Sequence, residues 1–346
     1  MFRLLSCLLL MLSVGVPAVA QTRVVVDQID RRVTVPAEVK RVVALQHQSL
    51  DLIVQLGAAD RLVGVLRSWR SLIPGLDRMA PALTSLPTPG DLAVVNIEDL
   101  LRLQPDVVFA TNYAPAAMIR QMEQVGIAVI VVSLSQGEGT ERAKLNPTFA
   151  DDDLAYVEGL KDGIRLIADV LGTKARGELL IEAAFAGRRL VEARVADIPA
   201  AQRVRLYMAN PDMNTYGAGK YTGVIMARSG GVNVARELRG TGKVSMEDVL
   251  RWDPQVIFVQ DRYAAVADEI RAGAAWKPIE AVRAGRIYIT PEYVKPWGYP
   301  LPEALALGEL WMAKRLYPER FADIDMAAAA DRYYREFYGQ PYACPN

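Results

Sequence analysis

The feature that most constrains this chain is a thirteen-residue segment that occurs twice, 149 residues apart. Residues 97–109 read IEDLLRLQPDVVF and residues 246–258 read MEDVLRWDPQVIF, aligned without a gap and identical at seven positions. Each copy contains a short amphipathic pattern, a proline that ends the helix, and an apolar run that is typical of a buried strand. Such a repeat predicts two halves built on the same design.

The size and composition of the chain agree with two globular halves. Its 346 residues are too many for one ordinary core and fit two units of about 150 residues each. The 40 basic residues are balanced by 40 acidic residues, so there is no large basic field to attract nucleic acid or an anionic membrane. We therefore expect no nucleic-acid partner, and we expect a monomer.

The first twenty residues have the pattern of a secretory signal peptide. Arg3 provides a positive start, residues 4–16 are almost wholly apolar, and Ala18-Val19-Ala20 is a small-x-small cleavage pattern. The apolar run is shorter than the roughly 20 residues that cross a bilayer. We predict cleavage after Ala20 and a soluble periplasmic product. Cys7 is removed with the signal, so Cys344 remains alone and no disulfide is expected within the mature chain.

Two consecutive helices are predicted between the two copies. Asp151-Asp152-Asp153 place negative charge where a helix N-terminus favours it, apolar residues recur at three- and four-residue steps, and Gly172 ends the pattern. A second helical stretch follows, and because no flexible linker separates the halves, we expect lobe closure to be small and stiff. The predicted organisation is a signal peptide at 1–20, an N-terminal lobe at 21–173, a linking helix at 174–196 and a C-terminal lobe at 197–346.

Apolar, β-branched runs alternate with helical patterns through both halves. They lie at residues 42–44, 62–65, 107–109 and 129–132 in the first half, and at 204–207, 256–259 and 286–289 in the second. This alternation predicts an α/β fold with parallel sheets that are covered on both faces.

Several segments together are typical of one known family. They are Arg41–Leu45 with Leu56-Gly57, Asn96–Leu100 with Leu103–Val108, Tyr216–Gly219, Gly230–Asn233, Val244–Glu247 and Arg286–Tyr288. In these segments the chain resembles the helix-linked, class III (cluster A) periplasmic binding proteins of iron-siderophore, haem and cobalamin importers. The resemblance covers nearly the whole mature chain. It implies two Rossmann-like lobes joined by a long α-helix, with the ligand in the cleft between the lobes and no cofactor.

The resemblance also implies a partner, the permease dimer of an inner-membrane ABC importer with its ATPase. In such proteins one glutamate of each lobe forms a salt bridge with arginines of the permease, and Glu98 and Glu247 occupy the matching positions here. Two carboxylates on the same rim of two similar lobes suit a dimeric receptor. The ordinary alternative is a glutamate at a helix start that is stabilised by the helix dipole.

Candidate ligand residues follow from the position of the strands. Ligands of parallel α/β sheets gather at loops beyond the carboxyl ends of strands. That rule selects a set rich in aromatic and cationic side chains: Gln46, His47, Ser68, Trp69, Arg70, Asn112, Tyr113, Tyr216, Arg262, Tyr263, Lys295, Trp297 and Tyr299. Such side chains suit a planar or bulky anion through stacking, cation–π contacts and bidentate hydrogen bonds. The alternative for each is a half-buried packing role at a loop tip.

His47 is the only histidine in the chain. A lone histidine is often a structural residue, and that alternative competes with a role as ligand contact. A site for bare zinc or manganese would use several imidazoles or thiolates, which this sequence lacks. We therefore expect no bare metal, and a ligand that is either a metal chelate or an oxyanion. Residues 296–300, PWGYP, are similar to a branch of the family whose ligands include iron chelates, nickel complexes, molybdate and tungstate.

Two other classes of function compete with transport. A secreted enzyme has little support, because there is no Gly-x-Ser-x-Gly elbow, a Ser-His-Asp triad would need His47, and residues 217–220 lack the spacing of a phosphate loop. A ligand sensor would need the same cleft and rim. We predict a non-enzymatic importer component, without catalytic residues, that binds an iron(III)-siderophore or a similar metal chelate. Molybdate or tungstate, haem, cobalamin and a nickel chelate are the alternative ligands.

Overall fold

Two separate four-stranded sheets, one in each half of the chain, organise the molecule, which a computed structural model describes over residues 21–342. The signal peptide predicted at 1–20, Cys7 and Cys344 lie outside the described residues. All strand pairs within the two sheets are parallel. The α/β class and the two-sheet design predicted from the sequence are therefore confirmed.

The first half begins with an antiparallel hairpin and continues into the first parallel sheet. Its strands are β1 (Thr22–Val26), β2 (Arg32–Pro36), β3 (Val42–Ala44), β4 (Leu62–Val65), β5 (Gly90–Asp91), β6 (Val94–Val95), β7 (Val107–Thr111) and β8 (Val129–Val132). Its helices are α1 (His47–Gln55), α2 (Trp69–Leu72), α3 (Leu76–Met79), α4 (Ile97–Leu103) and α5 (Ala116–Gln124).

Two long helices follow as a hairpin, α6 (Asp152–Leu171) and α7 (Lys174–Val195). The Asp151 carboxylate caps α6 by accepting a hydrogen bond from the Leu154 N–H at 3.0 Å. Gly172 ends α6 in the left-handed region, at φ 67°, where a residue without Cβ is not strained. Both helices were predicted from the sequence and are confirmed. Over residues 21–342, no helix is long and apolar enough to cross a membrane.

The second half repeats the alternation of strands and helices. Its strands are β9 (Arg205–Ala209), β10 (Asn214–Tyr216), β11 (Val232–Asn233), β12 (Thr241–Lys243), β13 (Val256–Val259) and β14 (Ile287–Ile289). Its helices are α8 (Tyr221–Arg228), α9 (Met246–Trp252), α10 (Ala265–Ala272), α11 (Glu280–Arg283), α12 (Glu309–Leu316), which is preceded by a π-helical turn at Ala304–Gly308, and α13 (Met326–Phe337).

The two parallel sheets have the same topology. Their strand orders are β4-β3-β7-β8 and β11-β9-β13-β14, which in each half is second, first, third and fourth in order of appearance. The repeated segment supplies α4 with β7 in one sheet and α9 with β13 in the other. The internal repeat seen in the sequence therefore corresponds to a repeated structural unit.

The short helices α4 and α9 are also built alike. Asn96 and Ser245 cap them by accepting a hydrogen bond from a backbone N–H of the first turn. Both helices end at a residue in the left-handed region, Gln104 at φ 43° and Asp253 at φ 41°, directly before the proline that follows each. The two copies thus enter and leave their helices by the same local interactions.

Side chains alternate between the two faces of each sheet. In β3, Val42 contributes to a central core and Val43 to an outer core packed with residues of α5. In β13, Phe258 lies in the same central core, whereas Ile257 lies in an outer core of the second half. The inner faces of both sheets therefore share one apolar core, which also includes residues of α1, α6, α7 and α13.

The last helix of the chain returns to the first half. The Tyr333 hydroxyl donates to Gln55 Oε1 at 2.7 Å, which joins α13 to the end of α1. Arg176, at the start of α7, donates to the carbonyl oxygen of Glu336 at 2.7 Å. A C-terminal lobe at 197–346, as proposed from the sequence, therefore includes a helix that packs against the N-terminal lobe.

Candidate functional site

The site lies where loops of the two sheets meet. His47 follows β3, Arg262 follows β13, and Trp297 lies in the loop after β14. The imidazole and indole ring centroids are 6.1 Å apart, and the guanidinium carbon of Arg262 is 5.4 Å from the indole centroid. These loops follow the carboxyl ends of parallel strands, where such folds bind ligands.

Helix α1 begins at this point, and its whole first turn is buried. Gln46 precedes the helix in an extended conformation and does not cap it; its amide nitrogen donates to the Val132 carbonyl at 3.1 Å and its Oε1 accepts from the Ser49 hydroxyl at 2.5 Å. His47, Gln48 and Ser49 provide the first N–H groups, which have no acceptor within a helix. These three residues are 6%, 2% and 0% exposed. A buried, uncapped helix start favours an anionic ligand.

The imidazole of His47 is neutral at physiological pH. Burial, followed by the positive charges of Arg262 and Lys295, lowers the pKa of His47 to about 3. The Nδ1 atom is buried and has no hydrogen-bond partner among the described residues. A neutral imidazole offers one donor and one acceptor, so His47 is prepared for a polar ligand without adding a charge of its own.

Arg262 is positioned by a chain of hydrogen bonds that the sequence did not indicate. Its Nε donates to Gln260 Oε1 at 2.8 Å. The amide of the fully buried Gln260 in turn donates to Asn210 Oδ1 at 2.6 Å and to the Tyr216 hydroxyl at 3.3 Å. The guanidinium also lies 5.1 Å from the ring centroid of Tyr263. The predicted ligand residues Tyr216 and Tyr263 therefore support Arg262.

Several buried polar atoms around His47 and Arg262 lack a partner within residues 21–342. They are Nδ1 of His47, Oε1 of Gln48, Oδ1 of Asp261 and Nε1 of Trp297. Burial also raises the pKa of Asp261, although the adjacent Arg262 acts in the opposite direction. Because buried polar groups in proteins are nearly always hydrogen-bonded, this set indicates a place where a polar ligand completes the bonding.

Asn112 and Tyr299, both predicted as ligand residues, contact the segment between β8 and α6. The Asn112 amide donates to the Lys144 carbonyl at 3.2 Å, and the Tyr299 hydroxyl donates to the same oxygen at 3.3 Å. Lys220, which sequence reasoning did not select, donates from Nζ to the neighbouring Leu145 carbonyl. Side chains from both halves thus contact this segment. Tyr113, next to Asn112, is half-buried, and burial raises its pKa.

The predicted residues of the loop after β4 contact other groups. Ser68 donates from its hydroxyl to Asp91 Oδ1 at 2.7 Å. Trp69 is buried in the central core, and the exposed Arg70 lies over its ring at 4.6 Å. The structure thus brings together His47, Arg262 and Trp297, and Gln46, Tyr216 and Tyr263 lie beside them as supports. The contacts of Ser68, Trp69 and Arg70 described above are with other residues.

Lys295, the remaining predicted ligand residue, is paired within the protein. Its Nζ contacts the carboxylates of Asp51 and Glu303, neither of which the sequence indicated. The one signal for Asp51 was its position four residues after His47, on the same face of α1.

A cavity of about 750 Å³ lies elsewhere, between the first turn of α6, the last turn of α7 and α8. Neither His47, Arg262 nor Trp297 lines it. Its charged groups are partly paired, since Arg228 contacts Asp153 and also lies 3.4 Å from Glu192, and Oδ1 of Asp152, which lines the cavity, lacks a hydrogen-bond partner within residues 21–342. The candidate site is therefore defined by the uncapped start of α1 next to Arg262 and Trp297, and not by cavity size or by unpaired atoms alone. Residues 21–342 contain no group of three His, Cys, Asp or Glu side chains that could bind a metal ion.

Glu98 and Glu247 lie in the first turns of α4 and α9. Both residues are exposed, and the Glu98 side chain is 85% exposed. Helix α4 ends just before the amino end of β7, and α9 ends just before the amino end of β13. The start of each helix therefore lies towards the edge of the sheet where the strands have their carboxyl ends. The two carboxylates are therefore presented on the same edge of both halves as the site.

Comparison with known proteins adds a family and several relatives. The sequence profile described as periplasmic binding protein matches residues 42–294. The chain is 50% identical over 345 residues to the molybdate-binding protein MolA of Haemophilus influenzae. This alignment covers 99% of this chain and 97% of MolA.

Solved structures agree in fold. The structure of Haemophilus influenzae MolA bound to molybdate matches with a TM-score of 0.90, covering 93% of this chain and 100% of that one. A periplasmic solute-binding protein from Veillonella parvula, 22% identical, matches with a TM-score of 0.76 over 93% of this chain and 94% of that one.

Proposed function

The chain belongs to the periplasmic binding protein family, and on that premise we propose that it delivers molybdate, or a closely similar tetrahedral oxyanion such as tungstate, to an ABC importer. The support from relatives is MolA, which is named as a molybdate-binding protein and is 50% identical across nearly the whole of both chains. The iron(III)-siderophore expected from the sequence has less support than the oxyanion, which was one of the alternatives.

The observation that carries this proposal is the buried first turn of α1 facing Arg262. A small oxyanion needs several hydrogen-bond donors in a dry place, and a charged donor strengthens those bonds. The N–H groups at the start of α1, the guanidinium of Arg262 and the unpaired Nε1–H of Trp297 supply such donors. Because His47 is neutral, it can donate or accept according to its tautomer.

The small exposure of the site favours a small ligand. His47 is 6% exposed and Trp297 is 7% exposed, with their ring centroids 6.1 Å apart. A siderophore or haem would need a much wider opening and a large aromatic or apolar wall. A small anion can instead contact the polar edges of these side chains, Nδ1 of His47 and Nε1–H of Trp297, which have no partner within residues 21–342.

The partner and location follow from the family. We propose that Glu98 and Glu247 contact the permease dimer of the importer, that the mature protein acts in the periplasm after removal of residues 1–20, and that it has no catalytic activity. The supporting observation is that α4 and α9 present the two exposed carboxylates in the same local geometry. A receptor with twofold symmetry is matched by such a pair.

The proposal is tested by calorimetric titration of the mature protein with molybdate, tungstate, sulfate, phosphate, a ferric siderophore, haem, cobalamin and a nickel chelate. We expect binding of molybdate and tungstate, and no binding of the chelates. Trp297→Phe should weaken molybdate binding by removing an N–H donor, whereas Trp252→Phe, in the outer core of the second half, should not. Binding of a ferric siderophore without binding of molybdate would refute the oxyanion assignment.

A further inference from the structure

Four buried side chains form a charged cluster next to the site. They are Asp51 of α1, Lys295, Glu303 just before the π-helical turn, and Tyr338 just after α13, and none is more than 8% exposed. Lys295 Nζ contacts both carboxylates and lies 3.3 Å from the Tyr338 hydroxyl. That hydroxyl lies 2.7 Å from Asp51 Oδ1 and 2.8 Å from Glu303 Oε1.

This cluster uses all the donors of Lys295. An ammonium group has three N–H donors, and three acceptors surround it here. Burial alone would lower the pKa of Lys295, but the charges of Asp51 and Glu303 outweigh that effect and raise the pKa, so the lysine stays charged. Lys295 was predicted as a ligand contact from the sequence, yet none of its donors is left for a ligand.

The cluster joins the two elements that carry the site. His47, Asp51 and Gln55 lie on one face of α1, since they are four residues apart. The Gln55 amide also donates to Glu303 Oε2, at 2.9 Å. Contacts thus run along this face from the residue that bears the site towards the end of the helix.

On the other side of the cluster, Lys295 leads directly into the loop that carries Trp297. Its backbone is in the left-handed region at φ 40°, which is unusual for a residue with a side chain. The Trp297 N–H donates to the Lys295 carbonyl at 2.8 Å. Because this tight turn links Lys295 to Trp297, a change in the position of the Lys295 ammonium group should also move the Trp297 indole.

We propose that Asp51, Lys295, Glu303 and Tyr338 act as a charge clamp that sets the separation of His47 and Trp297, and that Lys295 is a positioning residue rather than a ligand contact. This inference rests on the proposed function, because the separation matters for the small anion that the two rings would contact. The clamp joins α1 to the 295–299 loop, so that the two elements that carry the anion site are held in place before the ligand binds.

A direct role for Lys295 makes the opposite prediction for its carboxylate partners. If Lys295 contacted the anion, removing the Glu303 charge would leave Asp51 as the one carboxylate paired with the ammonium and would remove a repulsive charge, so that anion binding would strengthen. If the cluster positions the site, the same change weakens binding although it removes negative charge near an anion. Glu303 suits this test because Lys295 outweighs the effect of burial and lowers its pKa, so that the residue is ionised.

A matched control is available in the same half of the protein. Glu309, on α12, is as buried as Glu303 and pairs with Arg188 at 2.7 Å; within residues 21–342 its carboxylate forms no hydrogen bond or salt bridge with α1 or Lys295. Glu309→Gln therefore removes a buried carboxylate without touching the charge clamp. We expect it to lower the thermal stability and to leave molybdate affinity within about twofold of the wild type.

The experiment measures molybdate affinity by calorimetry for the wild type, Glu303→Gln, Tyr338→Phe and Glu309→Gln. We expect Glu303→Gln to bind about tenfold more weakly, and Tyr338→Phe, which keeps every charge, about threefold more weakly. Unchanged or tighter binding by both clamp variants would overturn the inference. If Glu303→Gln does not fold, Tyr338→Phe alone decides.

Hydrogen exchange gives a readout that does not need the ligand. In the clamp variants we expect faster amide exchange in peptides covering residues 45–56 and 293–300, compared with Glu309→Gln. If the wild type binds no molybdate, the proposed function fails while this comparison still decides on the clamp. Wild-type exchange rates in both peptides would then refute it.

Discussion

Replacing Arg262 by glutamine should remove the main positive charge that the site offers to an anion. The guanidinium is half-buried, is oriented by Gln260 at 2.8 Å and lies 5.4 Å from the Trp297 ring centroid. Lys295, the other cation near His47, already contacts Asp51 and Glu303. Its charge is therefore compensated, whereas Arg262 forms no salt bridge within residues 21–342 and interacts only at longer range with the adjacent Asp261.

The size of the effect follows from simple electrostatics. A hydrogen bond to a charged group contributes about 1.5–3 kcal/mol, and two unit charges about 4 Å apart interact by roughly 4 kcal/mol at an effective dielectric constant near 20. Because Arg262 is only partly buried, we expect a loss of about 2–4 kcal/mol of binding free energy. This corresponds to a Kd roughly 30- to 1000-fold higher.

The loss should be the same at pH 5.5 and at pH 7.5. Burial is the main cause of the low pKa of His47, followed by the charges of Arg262 and Lys295, so burial and Lys295 still keep the imidazole neutral when Arg262 is replaced. The ratio of the Kd of the variant to that of the wild type should therefore not change between these two pH values.

The assay is calorimetric titration with molybdate at both pH values, with circular dichroism to verify folding. Arg251→Gln is a suitable control, because Arg251 is 69% exposed on α9 and pairs with Asp248 at 2.7 Å. A folded Arg262→Gln protein whose Kd at pH 7.5 changes by less than about threefold would refute the contact between the guanidinium and the anion.

Three further predictions address docking, pH and packing. Glu98→Ala combined with Glu247→Ala should abolish molybdate uptake by cells while leaving the Kd unchanged, and normal uptake would rule out the docking assignment. Since the pKa of His47 is about 3 in the folded protein against 6.5 in a free side chain, the unfolded chain binds more protons between these values. Stability should fall below pH 6.5, by about 2 kcal/mol at pH 5 relative to His47→Gln, and urea unfolding with no such difference would contradict a neutral His47. Gly187→Ala would place a Cβ 2.3 Å from the carbonyl oxygen of Ala306, so urea unfolding should show a loss of about 1–3 kcal/mol, whereas an increase in stability would disprove this close approach.

The elements with strong local signals were predictable from the sequence. The repeated segment indicated both α4–β7 and α9–β13, and the caps of α6 at Asp151 and Gly172 indicated its ends. The short strand pairs β5–β6 and β10–β12 and the π-helical turn were not predicted. They depend on contacts with distant parts of the chain, such as the approach of α7 to residues 304–308, and no local pattern encodes them.

The site was predictable only in part for a related reason. The position after a parallel strand selected His47 and Arg262 as ligand residues, and the structure places these two side chains close enough to interact across the two halves. The same rule also selected Trp69, which is buried in the central core, because strand position does not determine side-chain direction. Asp51 and Glu303 resembled ordinary helix carboxylates in the sequence, and only the folded chain brings them to Lys295.

The central core shared by the inner faces of both sheets bears on how the protein melts. Independent lobes would lose their structure separately, with two heat-absorption peaks and two enthalpies scaled to their own sizes. Here Val42 of one sheet and Phe258 of the other belong to the same apolar cluster, and α13 from the end of the chain contacts α1 near its beginning. Neither half can melt without exposing apolar surface of the other, so unfolding should be one cooperative transition whose enthalpy belongs to the whole chain.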